Sequence, residues 1–251
     1  MDIDLSQQVV AITGASSGIG EATALAAAEA GAAVALGARR TDRIESLAQR
    51  IRDGGGRAIA IGVDVSDEAQ ANAFVRRADD ELGRLDALVN NAGVMLVGPI
   101  AGAPTDEWRR MIDANLYGVL YCTHAALPIM LAQSGDPRGH IVNVSSVAGR
   151  RVAAGAGVYH ATKFGVNAFS EALRQEVAES DIRVTVIEPG AVSTELVSHN
   201  RVEIKQAMKG RFAGVTPMQP VDIANAIIYA LGQPSNVSIN EVLVRPTRQV
   251  R

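Results

Sequence analysis

The sequence is poor in cysteine and aromatic residues and has no excess of basic charge. Its 251 residues include one cysteine, Cys122, which excludes an internal disulfide and a cysteine-cluster metal site. Lys plus Arg total 24 and Asp plus Glu total 27, whereas a protein that binds nucleic acid or anionic membranes would show a basic excess. The four histidines are scattered without metal-ligand spacing. We therefore expect no metal site and no nucleic-acid partner.

Export and membrane signals are also missing from the sequence. The N-terminal residues MDIDLSQQ are acidic and polar, unlike the basic start and apolar stretch of a secretory signal. No run reaches the 18 or more apolar residues of a spanning helix. With 47% hydrophobic residues the chain has ample material for a core, and no linker divides it. We expect a cytoplasmic protein with one domain over residues 1–251 and no membrane partner.

Short apolar runs alternate with helical patterns along the chain. Strands are predicted at 9–13, 32–38, 58–65, 87–90, 140–146, 183–190 and 241–246. Helices are predicted at 20–30, 41–53, 67–82, 105–133, 157–180 and 221–231, with Ser66 capping the third. The strands are near-continuous runs of Val, Ile, Ala and Leu, which is typical of strands covered on both faces. This predicts an α/β fold with a doubly wound, Rossmann-like parallel sheet.

A glycine-rich loop joins the first strand to the first helix. It reads Thr13-Gly14-Ala15-Ser16-Ser17-Gly18-Ile19-Gly20. Small residues let the backbone approach a pyrophosphate, and the N-terminus of a helix offers free N–H groups to phosphates. The spacing differs from the usual GxGxxG, but the position after a strand that opens a βαβ unit predicts nucleotide binding.

A tyrosine and a lysine lie four residues apart at the start of the predicted helix after strand five. Tyr159 and Lys163 therefore share one helix face. A cation beside a phenol favours the phenolate and lowers its pKa, which makes tyrosine a usable general acid or base near neutrality. Ser145 and Ser146 end the preceding strand, at the edge where doubly wound sheets bind ligands.

The glycine loop, the Asn90-Asn91-Ala92-Gly93 segment and the Tyr159/Lys163 pair together resemble the short-chain dehydrogenase/reductase family. The similarity runs over nearly the whole chain. In that family a catalytic serine lies thirteen residues before the tyrosine, which selects Ser146 over Ser145. An asparagine in the preceding long helix holds a relay water through its backbone carbonyl, and Asn115 matches it. The resemblance implies a catalytic set of Asn115, Ser146, Tyr159 and Lys163.

The resemblance also implies where a nicotinamide cofactor binds. Asp64 matches an aspartate that contacts the adenine, and Pro189-Gly190 with Thr194 match a turn beside the nicotinamide. Thr194 is equally suited to cap the next helix. The expected cofactor-binding residues are Gly14, Ser16, Ser17, Gly18, Ile19, Gly20, Arg39, Arg40, Asp64, Val65, Asn91, Ala92, Gly93, Tyr159, Lys163, Pro189, Gly190, Val192 and Thr194.

The end of the second strand favours NADP(H) over NAD(H). Members of the family that prefer NAD carry an acidic residue where Ala38 stands, and here Arg39 and Arg40 follow. Arginine makes charge-assisted, bidentate contacts to phosphate, so Arg39 is the first candidate for the 2′-phosphate and Arg40 the second. Both arginines also fit a solvated helix start, and use of NAD stays an alternative.

The family resemblance predicts hydride transfer between NADP(H) and a carbonyl or secondary alcohol of a small to medium substrate. Residues 191–216 would form a substrate lid, with Leu196, Val197, Met208 and Phe212 as apolar candidates. A non-catalytic dinucleotide sensor is the alternative, although it would not need a tuned phenol. Arg150 and Arg151 fit a solvated loop better than a pocket for an acidic substrate. Family members are usually homotetramers or homodimers that pair the long helices after strands four and five. Ala125, Ala126, Ala168 and Phe169 fit a face buried in such a bundle, but they fit packing on the sheet equally well.

Overall fold

The computed structural model describes residues 3–134, 138–208 and 214–250. Across these residues seven parallel strands form one sheet in the order β3-β2-β1-β4-β5-β6-β7. The strands are β1 (Val9–Thr13), β2 (Ala33–Ala38), β3 (Arg57–Gly62), β4 (Ala87–Asn90), β5 (Gly139–Val144), β6 (Ile182–Pro189) and β7 (Glu241–Val244). The predicted α/β, Rossmann-like, doubly wound sheet is confirmed.

Helices cover both faces of this sheet. They are α1 (Gly18–Glu29), α2 (Thr41–Asp53), α3 (Glu68–Leu82), α4 (Thr105–Ile112), α5 (Gly118–Ala132), α6 (Gly157–Val177), α7 (Val202–Met208) and α8 (Pro220–Leu231). The apolar faces of α1, α2 and α8 pack on one side of the sheet, and those of α3, α5 and α6 pack on the other. Strands buried on both faces explain the continuous apolar runs in the sequence.

The strand order reverses between β1 and β4, and this position determines where a ligand fits. From β1 the chain winds outward to β2 and β3, then returns to place β4 on the other side of β1. The loops that leave the carboxyl ends of β1 and β4 therefore diverge and leave a crevice between them. The glycine loop follows β1, and the Asn91-Ala92-Gly93 segment follows β4.

The long predicted helix at 105–133 is interrupted. A turn of π-helix over Asp113–Tyr117 separates α4 from α5. Such turns add one residue to the helical repeat and commonly lie at functional sites. Pro128 lies inside α5. The run Thr105–Ala132 has the length and hydropathy of a membrane-spanning helix, but the core helix of a globular protein can have the same length and hydropathy.

Two local predictions were wrong or incomplete. The cap of α3 is Asp67, whose carboxylate accepts a hydrogen bond from the backbone N–H of Gln70, and not Ser66. Residues 191–216, predicted as an irregular lid, contain a short 3-10 helix (Glu195–His199) and α7. Phe212 and the side chain of Met208, two of the apolar candidates in this segment, lie outside the described part of the chain.

Candidate active site

The glycine loop turns tightly between β1 and α1. Gly14 and Gly18 have φ values of +68° and +59°, which L side chains rarely adopt. A Cβ atom on Gly14 would lie 2.8 Å from the Cα of Ala92, so the loop touches the segment after β4. The α1 N-terminus begins at Gly18 and opens into the crevice, where its N–H groups can receive an anion.

Hydrogen bonds hold this loop against the end of β4. The Asn91 side-chain amide donates to the carbonyl oxygens of Thr13, at 2.9 Å, and Gly14, at 3.3 Å. The Thr13 hydroxyl accepts from the backbone N–H groups of Asn91 and Ala92, at 3.0 and 3.1 Å. No motif in the sequence marks Thr13 for this role beyond its place in the loop. Its position as the last residue of a strand that ends in this loop was the available signal.

Gly20 does not line the crevice, although it was expected to bind the cofactor. A Cβ atom there would lie 2.4 Å from the carbonyl oxygen of Gly14 and 2.5 Å from the Asn91 amide nitrogen. Gly20 therefore lets the first turn of α1 pack under the loop. Its effect on a ligand is through the shape of that loop.

The crevice widens into a cleft of about 1860 Å³. It collects every other residue expected to bind the cofactor: Gly14, Ser16, Ser17, Gly18, Ile19, Arg39, Arg40, Asp64, Val65, Asn91, Ala92, Gly93, Tyr159, Lys163, Pro189, Gly190, Val192 and Thr194. Ser146 lines the same cleft. Residues far apart in sequence are thus brought together along the carboxyl edge of the sheet.

Arg40 lies closer to the glycine loop than Arg39 does. Its guanidinium donates to the hydroxyl of Ser16, at 3.0 and 3.2 Å, and to that of Ser17, at 2.8 Å. Arg39 has a side chain 65% exposed and a single long ion pair, 3.8 Å, with Asp64. Arg40 is therefore the arginine that contacts the glycine loop, while Arg39, the first candidate from the sequence, is the more exposed of the two.

Asp64 and Val65 form the wall of the cleft beyond β3. One carboxylate oxygen of Asp64 accepts from the hydroxyl and the backbone N–H of Ser66, at 2.7 and 3.1 Å. This contact fixes the turn that leads into α3. Val65 is buried, and a Cβ on Gly118 at the start of α5 would lie 2.7 Å from its side chain.

Tyr159 and Ser146 meet at the far end of the cleft. Tyr159 lies in the first turn of α6 and is 7% exposed. Burial raises the pKa of the Tyr159 phenol, and a hydrogen bond with Ser146 partly opposes that rise. The Ser146 hydroxyl also accepts from the N–H of Ala148 at 3.1 Å and donates to the carbonyl of Pro189 at 3.5 Å.

Lys163 lies one turn further along α6 with its ammonium group buried. Its Nζ donates to the carbonyl oxygen of Val144 at 2.9 Å and lies 6.0 Å from the centre of the Tyr159 ring. Burial lowers the pKa of Lys163 to about 8. The sequence predicts a Tyr159 pKa below that of free tyrosine, but burial raises it in this structure, where the Lys163 Nζ lies 6.0 Å from the ring centre.

Asn115 is fully buried in the π-helical turn and does not line the cleft. Its side chain is occupied by structural bonds: Oδ1 accepts from the N–H of Val94 at 2.7 Å. Its Nδ2 donates to the carbonyl of Val94 at 2.9 Å and to the hydroxyl of Thr162 at 3.2 Å. Thr162 in turn donates to the carbonyl of Tyr159 at 2.8 Å. Asn115 thus joins the segment after β4 to the helix that carries Tyr159 and Lys163.

The turn after β6 closes the cleft from the other side. Thr194 caps the short helix over Glu195–His199, and its methyl group would lie 3.1 Å from a Cβ on Gly18. Thr194 therefore both caps that helix and lies over the glycine loop. The chain end contributes Gln249, whose side chain accepts from the N–H of Ala191 at 2.8 Å. No motif marked Gln249, because the contact depends on how the C-terminal segment folds back.

Several polar residues near the cleft have structural partners. Arg150, expected in a solvated loop, pairs with the buried Glu188 at 2.5 Å and also contacts Glu241. Ser145 donates to the carbonyl of Lys163 at 3.3 Å. His160 bonds to the backbone of the 148–153 loop. Among the described residues, no group of three or more His, Cys, Asp or Glu side chains is placed to hold a metal ion.

Known sequences resemble this chain over nearly its full length. The profile described as short chain dehydrogenase matches residues 8–205. An uncharacterized oxidoreductase of Staphylococcus saprophyticus is 43% identical over 98% of both chains. A glycine betaine reductase of Emericella nidulans is 44% identical over 96% of this chain, which spans only 19% of that longer protein.

Solved structures share the fold and several contain NADP. The closed form of a serine dehydrogenase complexed with NADP+ superposes with a TM-score of 0.89, at 32% identity over 97% of both chains. A metagenomic short-chain oxidoreductase in complex with NADP gives a TM-score of 0.81 at 33% identity, over 98% of this chain and 99% of that one. An alcohol dehydrogenase from Thermococcus sibiricus complexed with 5-hydroxy-NADP gives 0.85 at 29% identity, over 97% and 98%.

Proposed function

Since the chain belongs to the short-chain dehydrogenase/reductase family of oxidoreductases, we propose that it uses NADP(H) to interconvert a carbonyl compound and the corresponding alcohol. The substrate would be a small to medium organic molecule. The observation that carries this proposal is the single cleft that contains both the glycine loop and the Ser146/Tyr159/Lys163 group.

The residues of the cleft fit a dinucleotide. At Gly14 a side chain would collide with the segment after β4, and Gly14 and Gly18 both have a left-handed backbone that L side chains rarely adopt. That N-terminus and Arg40 supply positive charge at the phosphate end. The other end holds the phenol, the hydroxyl and the buried ammonium group.

When bound, the nicotinamide ring supplies or accepts the hydride, and side chains of the protein donate or accept the proton. Ser146 and Tyr159 can both donate hydrogen bonds to a carbonyl oxygen, which polarises the carbonyl. The Tyr159 phenol then gives up its proton to the developing alkoxide, and it accepts a proton in the oxidation direction. The Lys163 ammonium group favours the phenolate that remains, because opposite charges attract strongly in a buried site.

We further propose that the Arg39/Arg40 pair selects NADP(H) over NAD(H). Ala38 leaves the end of β2 without the carboxylate that would repel a 2′-phosphate, and Arg40 lies against the Ser16 and Ser17 hydroxyls. The NADP complexes among the similar structures support this choice.

Binding measurements on two arginine variants test the cofactor proposal. Arg40→Gln should weaken NADPH binding by at least tenfold and change NADH binding by less than threefold, since it removes a charge-assisted contact to phosphate. Arg39→Gln should have a smaller effect of the same kind, because Arg39 is more exposed. Titration calorimetry measures both constants. If the variants lose NADPH and NADH affinity equally, or if the wild-type protein binds NADH as tightly as NADPH, the proposed NADP preference is wrong.

We also propose that the protein assembles as a homotetramer or homodimer. Ala126 lies in the core of the chain and Phe169 packs against that core, which is the packing on the sheet that the sequence left open. Large apolar side chains nevertheless remain exposed on the same helical layer: Tyr117, Leu131 and Phe164 are each more than 40% exposed. Light scattering after size exclusion should give a multiple of 26.3 kDa, and Phe164→Asp should shift the mass downward. A wild-type protein at 26.3 kDa would contradict the assembly.

A further inference from the structure

A carboxylate from the lid lies between two arginines at the phosphate end of the cleft. One oxygen of Glu195 accepts from Arg40 at 2.8 Å, and the other accepts from Arg43 at 3.0 Å. Glu195 comes directly after Thr194, which lies over Gly18. The first turn of the lid is therefore joined by ion pairs to the start of α2.

The two arginines and the serines of the loop make up an anion site. The remaining donors of the Arg40 guanidinium point to the hydroxyls of Ser16 and Ser17, and Arg43 lies in the first turn of α2. Hydrogen bonds from Arg40 and Arg43 lower the pKa of Glu195 to about 2, so the side chain is charged at neutral pH. In this structure the anion in the site is the protein's own carboxylate.

We propose that Glu195 is a cofactor-specificity residue that occupies the Arg40/Arg43 cations until a 2′-phosphate displaces it. The inference rests on the proposed use of NADP(H). A 2′-phosphate carries almost two negative charges and binds the same guanidinium groups bidentately. A carboxylate and a phosphate that share these cations repel each other, so binding the phosphate requires Glu195 to move away. A ribose 2′-hydroxyl carries no charge and leaves the Glu195 pairs in place.

This competition has a direct consequence for affinity. Breaking the Glu195 ion pairs offsets part of the binding free energy of the 2′-phosphate. The protein therefore binds NADP(H) less tightly than it would if Arg40 and Arg43 had no carboxylate partner. The two pairs are partly exposed, with side chains 40 to 47% accessible, and each contributes modestly. Removing the charge at position 195 should therefore raise the affinity for a 2′-phosphate by about three- to tenfold.

The experiment compares adenosine 2′,5′-bisphosphate with adenosine 5′-monophosphate, two probes that differ only in the 2′-phosphate and lack the nicotinamide half. Calorimetric titrations use the full-length wild-type protein, Glu195→Gln and the control Glu203→Gln. Glu203 also pairs with an arginine of the lid, Arg201, at 3.1 Å, but away from the glycine loop. We expect Glu195→Gln to bind the bisphosphate three- to tenfold more tightly and the monophosphate within twofold of wild type. Glu203→Gln should match the wild type for both probes.

The outcomes separate this inference from the proposed function. If the wild-type protein binds both probes equally, a 2′-phosphate is not recognised and the NADP proposal itself fails. If the wild type prefers the bisphosphate but Glu195→Gln leaves that affinity unchanged or weakens it, Glu195 is a support for Arg40 and not a competitor. Equal tightening for both probes would show a general opening of the lid and would also overturn the inference.

Discussion

At the scale of single residues, the chemistry depends on two buried groups whose pKa values move in opposite directions. Burial raises the pKa of Tyr159 and lowers that of Lys163, so each group is shifted toward its neutral form. A neutral phenol is the state that can donate a proton to a substrate oxygen. The family resemblance selected Ser146 because it lies thirteen residues before Tyr159, and in the structure the two side chains share a hydrogen bond.

Replacing the phenol should remove catalysis without removing the binding site. Tyr159→Phe loses only the hydroxyl, so we expect turnover to fall by about 10²- to 10⁴-fold, which is the usual contribution of a general acid. NADPH affinity should stay within threefold. Initial rates and calorimetry measure the two effects, with Tyr229→Phe, at an exposed tyrosine, as the matched control. Turnover within tenfold of wild type would contradict the proton-donor role.

The buried ammonium group of Lys163 should lower the free energy of unfolding at neutral pH. Burial lowers its pKa to about 8 in the folded protein from the ordinary 10.5 of lysine, so the folded state binds fewer protons than the unfolded chain between these pH values. The contribution of this group to the free energy of unfolding therefore rises as the pH increases from 8 to 10.5. Below pH 8 the destabilisation caused by burying the charged Lys163 is fully present. Lys163→Met should raise the free energy of unfolding at pH 7 by about 1–2 kcal/mol, after allowing for the lost hydrogen bond to Val144.

Urea unfolding at several pH values tests the Lys163 prediction. The gain in Lys163→Met should shrink as the pH rises from 8 to 10.5, while the variant is also catalytically impaired. Lys205→Met, in the lid and outside the core, provides a control for the loss of a lysine. A variant that is less stable at pH 7, or a gain that does not depend on pH, would show that burial of the ammonium group is not the cause.

At the scale of elements, the π-helical turn between α4 and α5 is a feature that apolar periodicity in the sequence did not predict. The pattern over 105–133 predicts one helix, whereas the structure has a π-helical turn over Asp113–Tyr117 between α4 and α5. The π-helical turn depends instead on a non-local contact: the Asn115 amide binds the backbone of Val94, 21 positions earlier in the chain. Local helix propensity gives no sign of such a contact.

The first turn of α1 packs under the glycine loop at Gly20, so a larger residue there should change the shape of the loop. Gly20→Ala should weaken NADPH binding by at least tenfold although Gly20 does not face the cleft, because the new Cβ would collide with the Gly14 carbonyl and the Asn91 amide. Gly54→Ala is the matched control, since its Cβ would come no closer than 3.4 Å to a neighbour. Calorimetry gives the affinities, and circular dichroism confirms that both variants fold. Unchanged NADPH binding in Gly20→Ala would mean that the loop shape is not critical.

At the scale of the whole molecule, the sheet and most of the site could be predicted from the sequence. Four of the seven strands begin within one residue of their predicted start and end within one residue of their predicted end, because buried parallel strands carry continuous apolar runs. The carboxyl edge of such a sheet brings the residues that follow β1, β4 and β5 together, whatever lies between them. Topology thus explains why motifs far apart in sequence form one cleft.

The lid and the chain end could not be predicted in the same way. The Glu195 contacts with Arg40 and Arg43 join positions about 150 residues apart, and they follow from how the segment after β6 folds over the sheet. The same holds for Gln249, whose partner is the backbone of Ala191. No repeating pattern in the sequence marks the residues that make these contacts.

The most direct test of the whole account is the consumption of NADPH and NADH, measured side by side against a panel of ketones, aldehydes and keto acids. The account predicts turnover with NADPH for some members of the panel, a kcat/KM at least tenfold lower with NADH, and loss of the NADPH reaction in Tyr159→Phe. Turnover that is faster with NADH would contradict the cofactor proposal. Tight NADPH binding with no turnover across the panel would contradict the assignment of the cleft as a carbonyl reductase site.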